Sequence, residues 1–201
     1  MDLQRRMVMA GIVRAHYENN FPLFLHDYFA WLGFDLTEMQ LDIGRYMADR
    51  TLKNKCVMAQ RGEAKSTIGI ARALYEFVQM PNATVLLVSG SDDYAGTLSH
   101  AIVSAIMQWD RLEWLRPETR AGARTSYTDG FDVHHAFRIP DKQPSVKAVG
   151  IFGQLQGNHV SLLIADDVAT TSNGSSPANR ARINTLTKEF DGVDCYCYDL
   201  A

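Results

Sequence analysis

The chain reads as an α/β domain built on a mostly parallel sheet flanked by helices, with a helical segment at its N-terminus. Three apolar runs predict this: one closing near Ala59, one at Thr84-Val-Leu-Leu-Val88, and one at Val160-Ser-Leu-Leu-Ile-Ala165. Each leads into a helical pattern. Runs without alternation suit strands covered on both faces. Repeated strand–helix order makes a parallel sheet, and such sheets bind ligands beyond the carboxyl ends of their strands.

Residues 1–50 are expected to be helical. Residues 21–31 are rich in Phe, Leu and Tyr, Gly33-Phe-Asp35 turns the chain, and Thr37 caps a helix over 38–49. Residues 53–60 lead into a short buried strand at Cys56-Val-Met-Ala59. A helix over 65–79 stops at Pro81-Asn82, and Ser91-Asp-Asp93 starts another that reaches Trp109. Between 116 and 150 two short alternating runs, 136–139 and 145–151, are expected to pair as a hairpin. Residues 172–176 form a loop, and Pro177 opens a last helix that reaches Phe190.

The 201 residues suit one domain, and an apolar share of 46% is enough for a sizeable core. We divide the domain into the helical segment 1–50, a core over 51–190 and a tail over 191–201. The formal charge of -3 argues against a surface wholly devoted to nucleic acid, though a local basic patch stays compatible with it. Three cysteines, Cys56, Cys195 and Cys197, make no disulfide framework and fit a reducing cytosol. Cys195-Tyr-Cys197 lacks the second pair of a zinc site. No apolar run is long enough to cross a bilayer, so no membrane partner is expected. The apolar run 7–13 stops at Arg14 without a small-residue cleavage site and reads as an amphipathic helix.

Ala59-Gln60-Arg61-Gly62-Glu63-Ala64-Lys65-Ser66-Thr67 follows the first strand and opens a helix. The phosphate-loop pattern is G-x-x-x-x-G-K-[ST]. Lys65 and Ser66 fit it. Ala59 and Ala64 stand where the pattern has glycine, and Gly62 lies inside the loop. Backbone N–H groups at a helix N-terminus bind phosphate whatever the side chain, provided the alanines avoid positive φ. In this reading all nine residues touch nucleotide. Lys65 reaches the β and γ phosphates of ATP, and the Ser66 hydroxyl ligates Mg²⁺. The bland reading is a helix that begins Lys-Ser-Thr after a strand.

The third apolar run ends in Asp166-Asp167. Two adjacent carboxylates repel unless a cation or water relieves them. An acid strand of a nucleotide hydrolase ends this way: Asp166 holds the metal and Asp167 polarises the attacking water. An Asp-Asp turn is the alternative. The loop lies about 100 residues upstream with a strand and helix between, a spacing that suits one nucleotide-binding domain.

Together these residues resemble the ATPase domain of the large terminase subunit of tailed bacteriophages, in particular the DNA maturase B type of short-tailed phages. The likeness runs from about Phe21 to Phe190. It rests on the Ala-Gln-Arg-Gly-Glu-Ala-Lys-Ser loop, Ser145-Val-Lys-Ala-Val-Gly150, Gly153-Gln-Leu-Gln-Gly157 and Leu163-Ile-Ala-Asp-Asp-Val168. The resemblance implies a P-loop fold and an ATP-hydrolysing motor that drives double-stranded DNA into a procapsid. It implies a homo-oligomeric ring, a portal protein and a small terminase subunit as partners, and the host cytoplasm and procapsid portal as location. It implies that Arg61 acts on the γ-phosphate with Lys65 and Asp167 as the catalytic set, and that Gln40 reads adenine. Without it, Gln40 reads as a solvent-facing helix residue. Ser89-Gly-Ser91 reads equally as a nucleotide or DNA contact and as a plain strand-to-helix turn. Arg180 and Arg182 read equally as a subunit contact and as solvated helix residues. The family continues into a coupling strand and a nuclease domain. The likeness fades after Phe190, so the chain is expected to be a truncated or split terminase with a sheet incomplete at its C-terminus. The alternatives are an inactive remnant and a generic P-loop helicase or repair ATPase.

Overall fold

A computed structural model of the chain describes residues 1–49, 51–52, 54–60, 62–118, 123–128, 130–139, 143–153, 160–171, 173–188 and 190, with 196–200 described by backbone alone. Seven strands form one sheet: β1 (Asn54–Cys56), β2 (Val85–Ser89), β3 (Thr125–Ser126), β4 (Gly130–Phe131), β5 (Val146–Gly150), β6 (Leu162–Asp166) and β7 (Tyr196–Leu200). Their spatial order is β1-β7-β6-β2-β5-β4-β3. The first five in that order run parallel, and β4 and β3 add an antiparallel margin. The fold is therefore α/β with a mixed, predominantly parallel sheet, as the apolar runs predict. Register sets Ser89 beside both Asp166 and Gly150, and Asp166 beside Leu200. The carboxyl ends of the parallel strands thus share one edge, where the loops carrying the candidate chemistry leave the sheet.

Helices cover both faces. α1 (Leu3–His16), α2 (Phe21–Leu32), α3 (Glu38–Ala48), α4 (Lys65–Gln79) and α5 (Asp92–Gln108) contribute to one core with Val85, Leu87, Leu162 and Ile164. The intervening residues Leu86, Val88, Leu163 and Ala165 face a smaller core with Ile183 of α6 (Pro177–Thr187). One-residue alternation along β2 and β6 divides the two cores. Because both faces are covered, every residue of β2 and β6 is buried.

The N-terminal helices are locked to α4. Thr37 Oγ1 accepts from the Gln40 N–H at 3.3 Å and Gln40 Oε1 accepts from the Thr37 N–H at 3.0 Å, a reciprocal capping box that starts α3 as the sequence predicts. Gly33, at φ 82°, ends α2 in the left-handed conformation open to glycine. Tyr75 of α4 donates to the Tyr17 carbonyl at 3.1 Å, and Phe24 packs edge-on against Tyr17 and Trp109. Arg72 and Glu76, one turn apart on α4, form a buried ion pair at 2.7 Å. Among the described residues, no helix is long and apolar enough to cross a membrane.

Several expectations change. β1 is Asn54–Cys56, earlier than the apolar run, and Met58 is 80% exposed. Apolar character alone misplaces this strand because pairing with β7 sets its extent. The hairpin between 136–139 and 145–151 does not form. Residues His135–Phe137 make a 3-10 turn, while β5 pairs parallel with β2 and antiparallel with β4. The tail, expected to stand apart from the core, joins the sheet: Tyr196–Leu200 runs as a parallel strand between β1 and β6. Two tyrosines and a cysteine in five residues carry the strand propensity that makes this possible.

Candidate nucleotide-binding site

The loop after β1 delivers α4 to the carboxyl edge of the sheet. Gly62 turns at φ 95° and Ala64, the N-cap of α4, at φ 55°. Ala64 therefore does adopt positive φ, so the proviso set on the alanines fails at this position. A non-glycine residue there carries about 1–2 kcal/mol of strain, which suggests a function for the conformation. Lys65 Nζ folds back to donate to the Ala59 carbonyl at 2.6 Å and the Gln60 carbonyl at 3.4 Å, and Gln60 Nε2 donates to Glu63 Oε1 at 3.1 Å. Ser66 and Thr67 are half-buried in the first turn. Arg61 lies outside the described residues.

How the helices begin separates α4 from the rest. α1, α2, α3, α5 and α6 start on the side chains of Asp2, Asn20, Thr37, Ser91 and Ser176, each accepting a backbone N–H. Among the described residues α4 has no such cap and no acid in its first turn. Its N–H groups at Lys65, Ser66 and Thr67 precede the first helical bond, from Ile68 to the Ala64 carbonyl at 2.9 Å. Unsatisfied donors, the positive end of the helix dipole and a lysine ammonium together favour an anion.

The two aspartates part company at the end of β6. Asp166 is 1% exposed and, by the alternation of its strand, points to the face on which α4 packs. Asp167 is exposed and turns at φ 46°, with its carbonyl accepting from the Gly90 N–H at 3.2 Å. A buried carboxylate on the α4 side and a hydroxyl in the first turn of α4 are hard oxygen donors of the kind Mg²⁺ takes. An exposed carboxylate at the rim is placed to meet water.

Other candidates settle differently. Gln40 is buried, not solvent-facing, and its Oε1 holds the capping box. Ser91 caps α5, while Ser89 is buried at the end of β2. Arg180 donates to the carbonyls of Gly174 and Ser175 at 2.8 and 3.3 Å, and Arg182 stacks 4.6 Å over Phe152. Gly153 closes a turn onto the Gly150 carbonyl at 2.8 Å, and residues 154–157 lie outside the described residues.

Glu118, His134 and His135 also converge, with ligand atoms within 4.8 Å. The arrangement suits a metal poorly. His134 Nδ1 accepts the Ala136 N–H at 3.2 Å, so the neutral ring carries its proton on Nε2. That nitrogen lies 3.2 Å from Glu118 Oε1, close enough to pair though poorly aligned for a hydrogen bond. The two rings stack with centroids 4.4 Å apart and planes inclined at 26°. Burial, with Arg6 and His135 nearby, holds the His134 pKa below its usual range against the pull of Glu118.

Sequence reasoning misses the junction that anchors the acidic turn. Asn173 Nδ2 donates to the Val168 carbonyl at 2.9 Å and the Gly90 carbonyl at 3.2 Å, and its Oδ1 accepts from Thr170 N at 2.7 Å. Gly90 admits no larger residue. A Cβ there would lie 2.6 Å from Thr170 Cγ2 and 2.8 Å from the Asp167 carbonyl oxygen. In sequence, Ser-Asn-Gly-Ser is ordinary loop composition.

No protein-family model matches the chain. It is 35% identical over 183 residues to the large terminase subunit of Enterobacteria phage T3. The match takes in 90% of this chain and spans 30% of the length of that protein. Over nine-tenths of its own length, the chain is a homologue of a phage terminase large subunit.

Proposed function

We propose that the chain binds ATP with Mg²⁺ and hydrolyses it, as the nucleotide-cleaving part of a motor that packages double-stranded phage DNA. The observation that carries this reading is the uncapped N-terminus of α4, delivered by a strained loop to the sheet edge where Asp166 is buried. The backbone N–H groups of Lys65, Ser66 and Thr67 and the Lys65 ammonium hold the phosphates, with residues 59–64 lining the loop. Phosphate oxygens replace the Ala59 and Gln60 carbonyls as partners of Lys65 Nζ. Ser66 and Asp166 hold Mg²⁺, which when bound neutralises phosphate charge. Asp167 accepts the proton of the attacking water. Arg61 supplies positive charge toward the γ-phosphate. Gln40 keeps a donor in its Nε2 for adenine while its Oε1 caps α3. The homologue supports the wider reading: a ring of copies at the procapsid portal in the host cytoplasm, working with a portal protein and a small terminase subunit.

The test is ATP turnover by the chain beside Lys65→Ala and Asp167→Asn. Lys65→Ala should lose about a hundredfold or more of the rate. Asp167→Asn should bind ATP normally and lose turnover by about 10²–10⁴. Equal rates for wild type and Lys65→Ala would defeat the phosphate-loop assignment. Loss of binding in Asp167→Asn would make that residue a metal ligand in place of a base.

A further inference from the structure

We infer that Asn173 is a positioning residue for Asp167, a role that rests on the ATPase reading above. The carboxylate of Asp167 makes no hydrogen bond or ion pair with any described residue, so among these residues it is held only through its backbone. That backbone is left-handed and would relax if released. Three contacts restrain it. The Asp167 carbonyl accepts from the Gly90 N–H at 3.2 Å. The next carbonyl, of Val168, accepts from Asn173 Nδ2 at 2.9 Å. The same Nδ2 donates at 3.2 Å to the carbonyl of Gly90, whose own N–H holds Asp167.

One amide thus ties the turn after β6 to the turn after β2. It is oriented by its Oδ1, which takes the Thr170 N–H at 2.7 Å, and by its backbone N–H, which donates to Thr170 Oγ1 at 3.2 Å. Only one placement of the Asn173 oxygen and nitrogen satisfies all these groups, because two partners are carbonyls and one is an N–H. Gly90 completes the clasp by leaving no room for a side chain that would push the turns apart. A carboxylate base held through its backbone is sensitive to small shifts, and a displacement near 1 Å lowers a rate by about a hundredfold.

Asn173→Asp tests this with little change of shape: it keeps the acceptor for Thr170 and replaces the donor with an oxygen facing two carbonyls. We expect its kcat to fall roughly 10- to 100-fold with KM within about twofold, and amide exchange at Gly90 to quicken at least tenfold. Asn173→Ala, which removes the donor without adding repulsion, should show the same pattern more weakly. On an Asp167→Asn background neither change should lower turnover further, because the group being aimed is gone. An equal fall on both backgrounds would reduce Asn173 to a loop support, and unchanged Gly90 exchange would dismiss the clasp. A wild-type rate no higher than that of Lys65→Ala sinks the ATPase reading and this role with it. Normal dependence on Lys65 with undiminished turnover in Asn173→Asp sinks this role alone.

Discussion

Replacing Arg72 with methionine should destabilise the chain far more than a surface ion-pair deletion. Arg72 and Glu76 are 3% and 6% exposed, with Nη1 and Oε2 2.7 Å apart. The guanidinium also lies 5.8 Å from the Phe21 ring centroid and 5.5 Å from that of Tyr75. Methionine keeps most of the stem packing and removes the charge, leaving the buried Glu76 carboxylate without its guanidinium. Breaking a buried pair in this way costs about 3–5 kcal/mol. Unfolding entropy near the midpoint is about 2.1 cal/mol/K per residue, hence about 0.4 kcal/mol/K for 201 residues. The melting midpoint should therefore drop by about 7–12 °C. Thermal unfolding followed by circular dichroism at pH 7 measures it, and the drop should change little between low and high salt because the pair is shielded from solvent. The double change Arg72→Met/Glu76→Leu should recover most of the loss, since the buried charge is gone. A fall below about 3 °C for Arg72→Met, or no recovery in the double variant, would refute the view that α4 carries a desolvated pair.

Two further outcomes follow from backbone and titration. Ala64→Gly should fold and bind nucleotide as well as wild type, because relief of the left-handed strain offsets glycine's extra chain entropy to within about 1 kcal/mol. Ala64→Val should lose ATP binding, measured with a fluorescent analogue, because a β-branched residue resists φ 55°. Acid should weaken the fold through His134. Its folded pKa lies below the unfolded value near 6.5, so the stability it contributes is present above that value and is lost as pH falls through the folded pKa. The melting midpoint should decline between about pH 7 and 5, and His134→Asn, which keeps an acceptor for the Ala136 N–H, should flatten that decline. An unchanged slope would remove His134 from the cause.

Local signals carried much of the fold. Both ends of α4 were readable because Lys-Ser-Thr opens it and Pro81-Asn82 lies just beyond it. Thr37 with Gln40 three residues on marked the start of α3, and the apolar runs located β2 and β6 to within two residues. Long-range pairing was not readable. Residues 145–151 show strand alternation, but nothing within them says that Val85 and Val146 are neighbours. The same holds for the candidate site. The loop and the aspartate pair announce themselves by residue type, and their separation into one buried and one exposed acid comes from strand register. Asn173 acts through its amide on main-chain carbonyls, and main-chain partners leave no mark on residue identity.

Strand β7 bears on the order in which this protein can assemble. β1, which leads into the loop before α4, has β7 as its neighbour in the sheet, and the two are separated by about 140 residues. During synthesis the loop emerges long before the strand that seats it. The helices from α1 to α5 and the β5-β2-β6 centre can consolidate first, being closer in sequence. β1 stays unpaired until residues 196–200 slide in beside it. Closing so long a loop is slow, and an unpaired strand edge in the meantime invites contact with other chains. Strand β7 thus joins β1 to β6 across the sheet, and the register between those two strands should be fixed late and all at once.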